Sequence, residues 1–249
     1  MQSELERSEQ LFGCEGIEKL HRSSVIIFGI GGVGGHALEV LARSGVGTIT
    51  LVDADKVDIT NINRQIIALH STIGQPKVEV AAKRIRDINP DCNITAIQQF
   101  YLPENAGSID ISQYDYVVDC IDTVSAKMEL IRRCTAAKTP IISSMGAGNK
   151  MNPTMLKVAD IYKTSVDPLA KVIRKKCKES GIKHLKVVYS EETSPLLGKD
   201  LSEIPISSNA FVPAAMGIII ASEVVKDLLK TTLPLYTLLL TQSPKTSER

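Results

Sequence analysis

Val25-Ile26-Ile27-Phe28-Gly29-Ile30-Gly31-Gly32-Val33-Gly34-Gly35 is the stretch that decides the fold. Four consecutive apolar residues read as a strand buried on both faces. The glycines at 29, 31 and 34 follow it at G-x-G-x-x-G spacing, and an apolar-periodic helix over 33–44 comes next. Backbone N–H groups at such a helix start form an anion site, and the helix dipole adds to it. The motif alone is weak, since glycines can serve helix–sheet packing only, but its strand–turn–helix setting points to a bound nucleotide.

Outward from this stretch the pattern alternates. Strand 48–52 leads to helix 76–88, and Asn89-Pro90 stops that helix before strand 93–97. A loop over 101–112 precedes strand 116–120, helix 124–137 and strand 140–144. Such alternation predicts a parallel sheet with helices on both faces, an α/β Rossmann-like fold. After Gly148 the character changes. Residues 154–158 and 186–190 read as short strands that extend the sheet in antiparallel fashion. Asp167 to Lys186 reads as a basic helix and its exit, and 191–209 as loop. A buried helix is expected at 211–229 and a strand at 235–241. The expected organisation is one domain: an arm over 1–22, a nucleotide-binding part over 23–150 and a substrate or lid part over 151–249.

Composition narrows the classes. At 249 residues and 43% hydrophobic the chain can bury a large core. A net charge of +1 exerts no global pull on nucleic acid, so RNA binding would need a local patch. Five cysteines, none in a C-x-x-C pair, argue against structural zinc and against a disulfide framework. Their odd number and the lack of a signal peptide favour a reducing cytoplasm. The apolar stretch 210–229 is interrupted by Pro213, Gly217, Glu223, Lys226 and Asp227, so no membrane span is expected.

Charged and polar groups follow the glycines in a set order. Asp53 and Asp55 lie at the end of the second strand, where a carboxylate can accept ribose hydroxyls. Asn61, Arg64 and Gln65 come next, then Lys77. A dinucleotide dehydrogenase would fit the glycines and Asp53, but its pyrophosphate is held mostly by backbone. An Arg and a Lys in the following segments suit a triphosphate, whose β and γ groups carry more charge. Asp119-Cys120-Ile121-Asp122 follows an apolar strand, where open α/β sheets place ligands. Carboxylates there suit Mg²⁺ bound together with phosphates, although Asp122 could equally cap helix 124–137.

At this point the chain resembles the adenylation domains that activate ubiquitin-like and sulfur-carrier proteins. The resemblance rests on Gly29 to Gly35, Asp53-x-Asp55, Asn61-x-x-Arg64-Gln65, Gly74-Gln75-Pro76-Lys77, Ile88-Asn89-Pro90 and Asp119-Cys120-Ile121-Asp122. It implies that Gly32 lies on the nucleotide, that Asp53 holds the ribose, and that Asn61, Arg64 and Lys77 meet phosphates. It also implies that Asp122 is the metal-linked carboxylate, and that an Arg from a partner subunit, here Arg7, reaches the phosphates of a homodimer.

The second half narrows the resemblance. Ser143-Ser144-Met145-Gly146-Ala147-Gly148, Asn152-Pro153-Thr154 and Asp167-Pro168-Leu169-Ala170 are similar to the tRNA threonylcarbamoyladenosine dehydratase branch. Carrier-activating members usually hold zinc with two C-x-x-C pairs, absent here. Some relatives carry a Cys before the last helix; here Ile206-Ser207-Ser208-Asn209 stands there, against a thiol-dependent sulfur-relay partner. What the branch implies is ATP-dependent, Mg²⁺-assisted dehydration of a modified adenosine beside the tRNA anticodon. A monovalent cation, K⁺ or Na⁺, is left open. Lys171, Arg174, Lys175, Lys176, Lys178, Lys183 and Lys186 stand against one acid, Glu179, and read either as a footprint for tRNA phosphates or as a solvated helix face. Activation of a carrier protein's C-terminal carboxylate remains the second reading.

Overall fold

The computed structural model describes residues 4–193 and 207–230. Its centre is a seven-stranded sheet in the order β3-β2-β1-β4-β5-β7-β6. The strands are β1 (Ser24–Phe28), β2 (Thr48–Val52), β3 (Asn93–Ile97), β4 (Tyr116–Asp119), β5 (Ile141–Ser144), β6 (Leu156–Asp160) and β7 (Lys186–Ser190). All neighbours pair in parallel except β6, which runs antiparallel to β7 at the sheet's edge. The helices are α1 (Glu6–Arg22), α2 (Gly34–Arg43), α3 (Lys77–Ile88), α4 (Val124–Ala137), α5 (Pro168–Glu179) and α6 (Phe211–Leu229).

The apolar run Val25-Ile26-Ile27-Phe28 is buried on both sides, as a central parallel strand must be. Side chains alternate across a strand. Val25 and Ile27 therefore face a core built with Leu38, Leu41, Ile85 and Met216 from α2, α3 and α6. Ile26 and Phe28 face the opposite core with Leu130 and Cys134 of α4. A third cluster packs Ile131 of α4 on Ile173 and Cys177 of α5 and Val187 of β7. Each fully buried side chain of this kind contributes roughly 1.5–3 kcal/mol. The sheet is thus held at its centre, and its strand ends are free to carry chemistry.

Most expected elements appear within a residue or two of their expected limits. The N-terminal arm is a helix broken at Gly13 (φ +71). The break folds the arm back, so that Leu5 and His21 line one hollow with Gly45 and Asn89 at the amino ends of β2 and β3. The strand expected at 154–158 starts later, at Leu156, because Asn152 Oδ1 accepts from Thr154 N at 2.9 Å and winds Pro153–Met155 into a short 3₁₀ turn. The strand expected at 235–241, and most of the loop expected at 191–209, lie outside the described residues.

Helix α6 lies close against α2. A Cβ on Gly217 would stand 2.3 Å from Val33 O and 2.9 Å from His36 Cβ. Gly217→Ala should therefore push the two helices apart and cost roughly 1–3 kcal/mol, the usual range for overpacking. Chemical denaturation measures this, and an unchanged midpoint would mean that the helices move apart freely.

Candidate active site

The carboxyl ends of β1, β2 and β4 meet in register: Phe28 lies between Val52 and Asp119. Just beyond them the chain opens a cavity of ≈ 380 Å³. Gly29, Gly31, Gly32, Asp53, Asp55, Asn61, Arg64, Gln65, Lys77 and Asp122 all line it. Residues far apart in sequence are thus brought to one cleft, at the point where strand order reverses beside β1.

Two glycines make the phosphate-loop geometry possible. Gly29 adopts φ +87, and a side chain there would meet Cys120 O at 2.6 Å. A Cβ on Gly34 would stand 1.8 Å from Gly29 O, so only glycine lets α2 start this close to the strand. Asp53 fixes the loop from the other side. Its Oδ2 accepts from Ile30 N at 2.6 Å and its Oδ1 from Asp55 N at 2.8 Å. Burial pushes the Asp53 carboxyl above the ordinary carboxylate range, against the pull of those two amides. Asp53 therefore shapes the glycine loop as well as facing the cavity.

The cations of the cleft are already engaged. Lys77 is only 5% exposed, and its Nζ donates to Asp55 Oδ2 at 2.7 Å. Arg64 Nη1 donates to Thr60 O at 2.9 Å and to Asn63 Oδ1 at 2.8 Å. Asn61 Oδ1 accepts from Asp58 N at 3.1 Å, closing the turn that presents Arg64. Gln65 Oε1 is buried in the cavity wall and accepts no hydrogen bond among the described groups.

The carboxylates at the end of β4 part company. Asp122 is exposed on the cavity wall, and its side chain meets only Thr123 Oγ1, at 3.3 Å. It is not the cap of α4; that position belongs to Thr123, whose side chain caps nothing. Asp119, read from sequence as a second cleft carboxylate, is instead fully buried. Its Oδ2 accepts from Lys127 Nζ at 2.8 Å and from Ser143 Oγ at 2.6 Å. A lone exposed carboxylate beside the cleft's Lys and Arg fits a cation such as Mg²⁺, which takes few protein ligands. Burial first, then the charge of Asp119, push the neighbouring Cys120 thiol up to about 12, away from the thiolate form.

Three features escaped the sequence reading. Lys127 carries no reading of its own in the sequence, yet it stands among the buried residues of α4 with Ala126, Met128, Leu130 and Ile131. The segment Gln99 to Leu102 completes the cavity, with Tyr101 stacked edge-on to Phe28 at 4.7 Å between ring centres. The basic stretch is divided. Lys171, Lys175, Lys176 and Lys178 are exposed on α5. Arg174, however, donates to Thr164 O at 2.8 Å, and Lys186 turns to Glu223 and Asp227 of α6 at 2.6 and 2.9 Å. Arg7 is exposed at the start of α1, outside the cavity.

The chain matches the ThiF family over residues 5–248 and belongs to that family. It is 46% identical over 244 residues to the tRNA threonylcarbamoyladenosine dehydratase of Bacillus subtilis, which covers 92% of this chain and 96% of that protein. Its structure is similar to a crystal structure of the Escherichia coli tRNA N6-threonylcarbamoyladenosine dehydratase in complex with AMP. The TM-score is 0.84 at 35% identity, covering 92% of this chain and 94% of that one. The same enzyme in complex with ATP gives a TM-score of 0.82 at 35% identity, covering 92% and 95%.

Charge-assisted hydrogen bonds contribute about 1.5–3 kcal/mol. Asp53→Asn keeps the size but gives up the charge and one of two acceptor oxygens. Amide exchange at Ile30 should then quicken at least tenfold by mass spectrometry. Unchanged protection would mean that the glycine loop holds its shape without Asp53.

Proposed function

We infer that this chain is an ATP-dependent dehydratase of threonylcarbamoyladenosine in tRNA, closing a ring on the modified base beside the anticodon. The observation that carries this is the similarity to such dehydratases over 92% of this chain and 96% of the Bacillus subtilis protein. That span includes the second half, where carrier-activating relatives would differ. The substrate carboxylate attacks the α-phosphate of ATP and pyrophosphate leaves. An atom of the neighbouring carbamoyl group then attacks the activated carbonyl, loses its proton, and AMP departs with the carboxylate oxygen. Water is lost in net terms and no protein nucleophile is needed, in keeping with a Cys120 thiol that burial pushes up.

In this reading the chain contributes orientation and charge. Gly29, Gly31, Gly32 and Gly34 bring backbone against the phosphates. Asp53 and Asp55 face the ribose. Asn61, Arg64, Gln65 and Lys77 line the phosphates, and Lys77 must leave Asp55 to reach them. Mg²⁺, when bound at Asp122 with phosphate oxygens, would offset the charge that builds as pyrophosphate leaves. The decisive assay is mass spectrometry of tRNA nucleosides after incubation with ATP: threonylcarbamoyladenosine should lose the mass of water. Lys77→Ala and Arg64→Ala should each lower kcat/KM by about 2–4 kcal/mol of transition-state stabilisation. No mass loss with the unaltered protein would end the dehydratase reading, and full activity in either variant would remove that residue from it.

We also propose a homodimer in the cytoplasm. The folded-back arm seats Leu5 beside Gly45 at the amino end of β2, and Arg7, two residues further on, does not line the cleft of its own chain. A second copy would then bring Arg7 to the phosphates. Ile59, Leu69, Ile73, Phe211 and Ile218 are large apolar side chains left exposed, 60, 53, 41, 44 and 49% respectively, and suit an apolar two-fold interface. Mixing Arg7→Ala with Asp122→Asn subunits should restore about a quarter of wild-type activity, since random exchange leaves one intact site in half of the dimers. No recovery after verified exchange would exclude a shared site.

The tRNA path is proposed along Lys171, Lys175, Lys176 and Lys178. Each neutralised phosphate adds about −0.7 to −0.9 to the salt slope of binding. Replacing Lys175, Lys176 and Lys178 by Ala should flatten that slope by roughly two to three units for every tRNA alike. An unaltered slope would make the stretch a solvated helix face. Lys175 has a loose partner in Glu179 at 3.9 Å.

A further inference from the structure

Lys127 is 0% exposed, and its ammonium fills all three donor positions. It donates to Asp119 Oδ2 at 2.8 Å, to Ser143 Oγ at 3.0 Å and to Ser144 O at 3.0 Å. Ser143 in turn donates to Asp119 Oδ2 at 2.6 Å. The other carboxylate oxygen, Oδ1, accepts from Ile121 N at 3.1 Å, inside the turn that carries Asp122. One ammonium therefore holds two things at once: the turn after β4 and the last residue of β5.

Both attachments lead to function-bearing segments. On one side the Cys120 carbonyl packs on Gly29, so the turn is seated against the phosphate loop. On the other side Ser144 opens into the loop 145–150, which reaches the buried Asp167 at the start of α5: a Cβ on Gly146 would stand 3.2 Å from Asp167 Oδ2. Burying an ion pair stabilises little, because desolvation offsets the attraction, and apolar replacements are often as stable. The geometry, not the energy of the pair, is what it supplies here.

We propose that Lys127, with Asp119 and Ser143, is a positioning group that sets the Asp122 turn and the 145–150 loop in one fixed relation. It would align the nucleotide side of the cleft with the substrate side without touching either ligand. It also masks the Asp119 charge, which would otherwise lie three residues from Asp122 and repel phosphate. The proposal rests on the dehydratase reading above.

The test is the neutral pair Asp119→Asn with Lys127→Met, which keeps the volume and leaves no unpaired charge. Turnover at saturating ATP and tRNA should fall at least 30-fold, while the Kd for ATP, by calorimetry, stays within threefold. Amide exchange should quicken together in 120–123 and 145–150. A folded double variant with turnover within threefold of wild type, or with faster exchange in only one of the two segments, overturns the proposal. Where the double variant does not fold, Ser143→Ala decides, because it removes the hydroxyl link and keeps both charges. It should slow turnover several-fold at unchanged ATP affinity, and wild-type turnover would overturn the proposal. The exchange measurement needs no RNA, so it decides on Lys127 even if the unaltered protein fails to dehydrate tRNA.

Discussion

Everything in the cleft depends on how closely the backbone after β1 can approach the backbone after β4. Gly29 abuts Cys120 O, and Gly34 abuts Gly29 O at distances that leave no room for a Cβ. This contact sets where α2 begins, and so where its free N–H groups point. It also sets the turn from Cys120 to Asp122. A single side chain at either glycine would separate the glycine loop from the turn that carries Asp122. The two cores on the sheet's faces keep β1 and β4 in register, and the register makes the contact reproducible.

The charges around that contact are arranged in pairs that a ligand would have to exchange. Asp55 holds Lys77, backbone carbonyl Thr60 O holds Arg64, and Asp53 holds two amides. Without ligand, no cation of the set is left as an unpaired buried charge, which would cost several kcal/mol. A polyphosphate would offer Lys77 and Arg64 stronger partners than they now have, since phosphate oxygens carry more charge than a carbonyl. The resting pairs thus keep the cleft stable while leaving it ready to be re-sorted by a strongly anionic ligand.

Much of this was legible in the sequence, for a physical reason. The strand and helix limits in the first half follow from local periodicity and from breakers such as Asn89-Pro90. The cleft residues sit at strand ends that the α/β pattern brings together. What was not legible depends on direction rather than position. Asp119 and Asp122 are three residues apart and chemically alike, yet one points into the core and the other into the cleft. Lys127, buried, and Lys175, exposed, are the same side chain on two helices, and only the fold seats the first against Asp119 and Ser143. Arg174 and Lys186 left the basic stripe because Thr164, Glu223 and Asp227 are near them only in the folded chain. The 3₁₀ turn before β6 was missed because a single side chain, that of Asn152, winds Pro153–Met155 out of the strand.

The nucleotide half alone does not say what is activated, because one fold and cleft can serve many substrates. The second half adds features of its own. Here it supplies an edge strand, β6, turned antiparallel to β7, and a helix, α5, whose buried side carries Ala170, Ile173 and Cys177 and whose outer side carries lysines. The five cysteines point the same way. Cys92, Cys134 and Cys177 are buried, and burial pushes each thiol up, to about 11, 12 and 11. Cys120 beside the phosphate loop is pushed up to about 12, first by burial and then by Asp119, and the exposed Cys14 lies on the arm beyond the cleft. Among the described residues no thiolate is poised to accept an acyl group from an adenylate. A ring closure within the substrate needs no such thiolate, because its nucleophile arrives with the activated carboxylate.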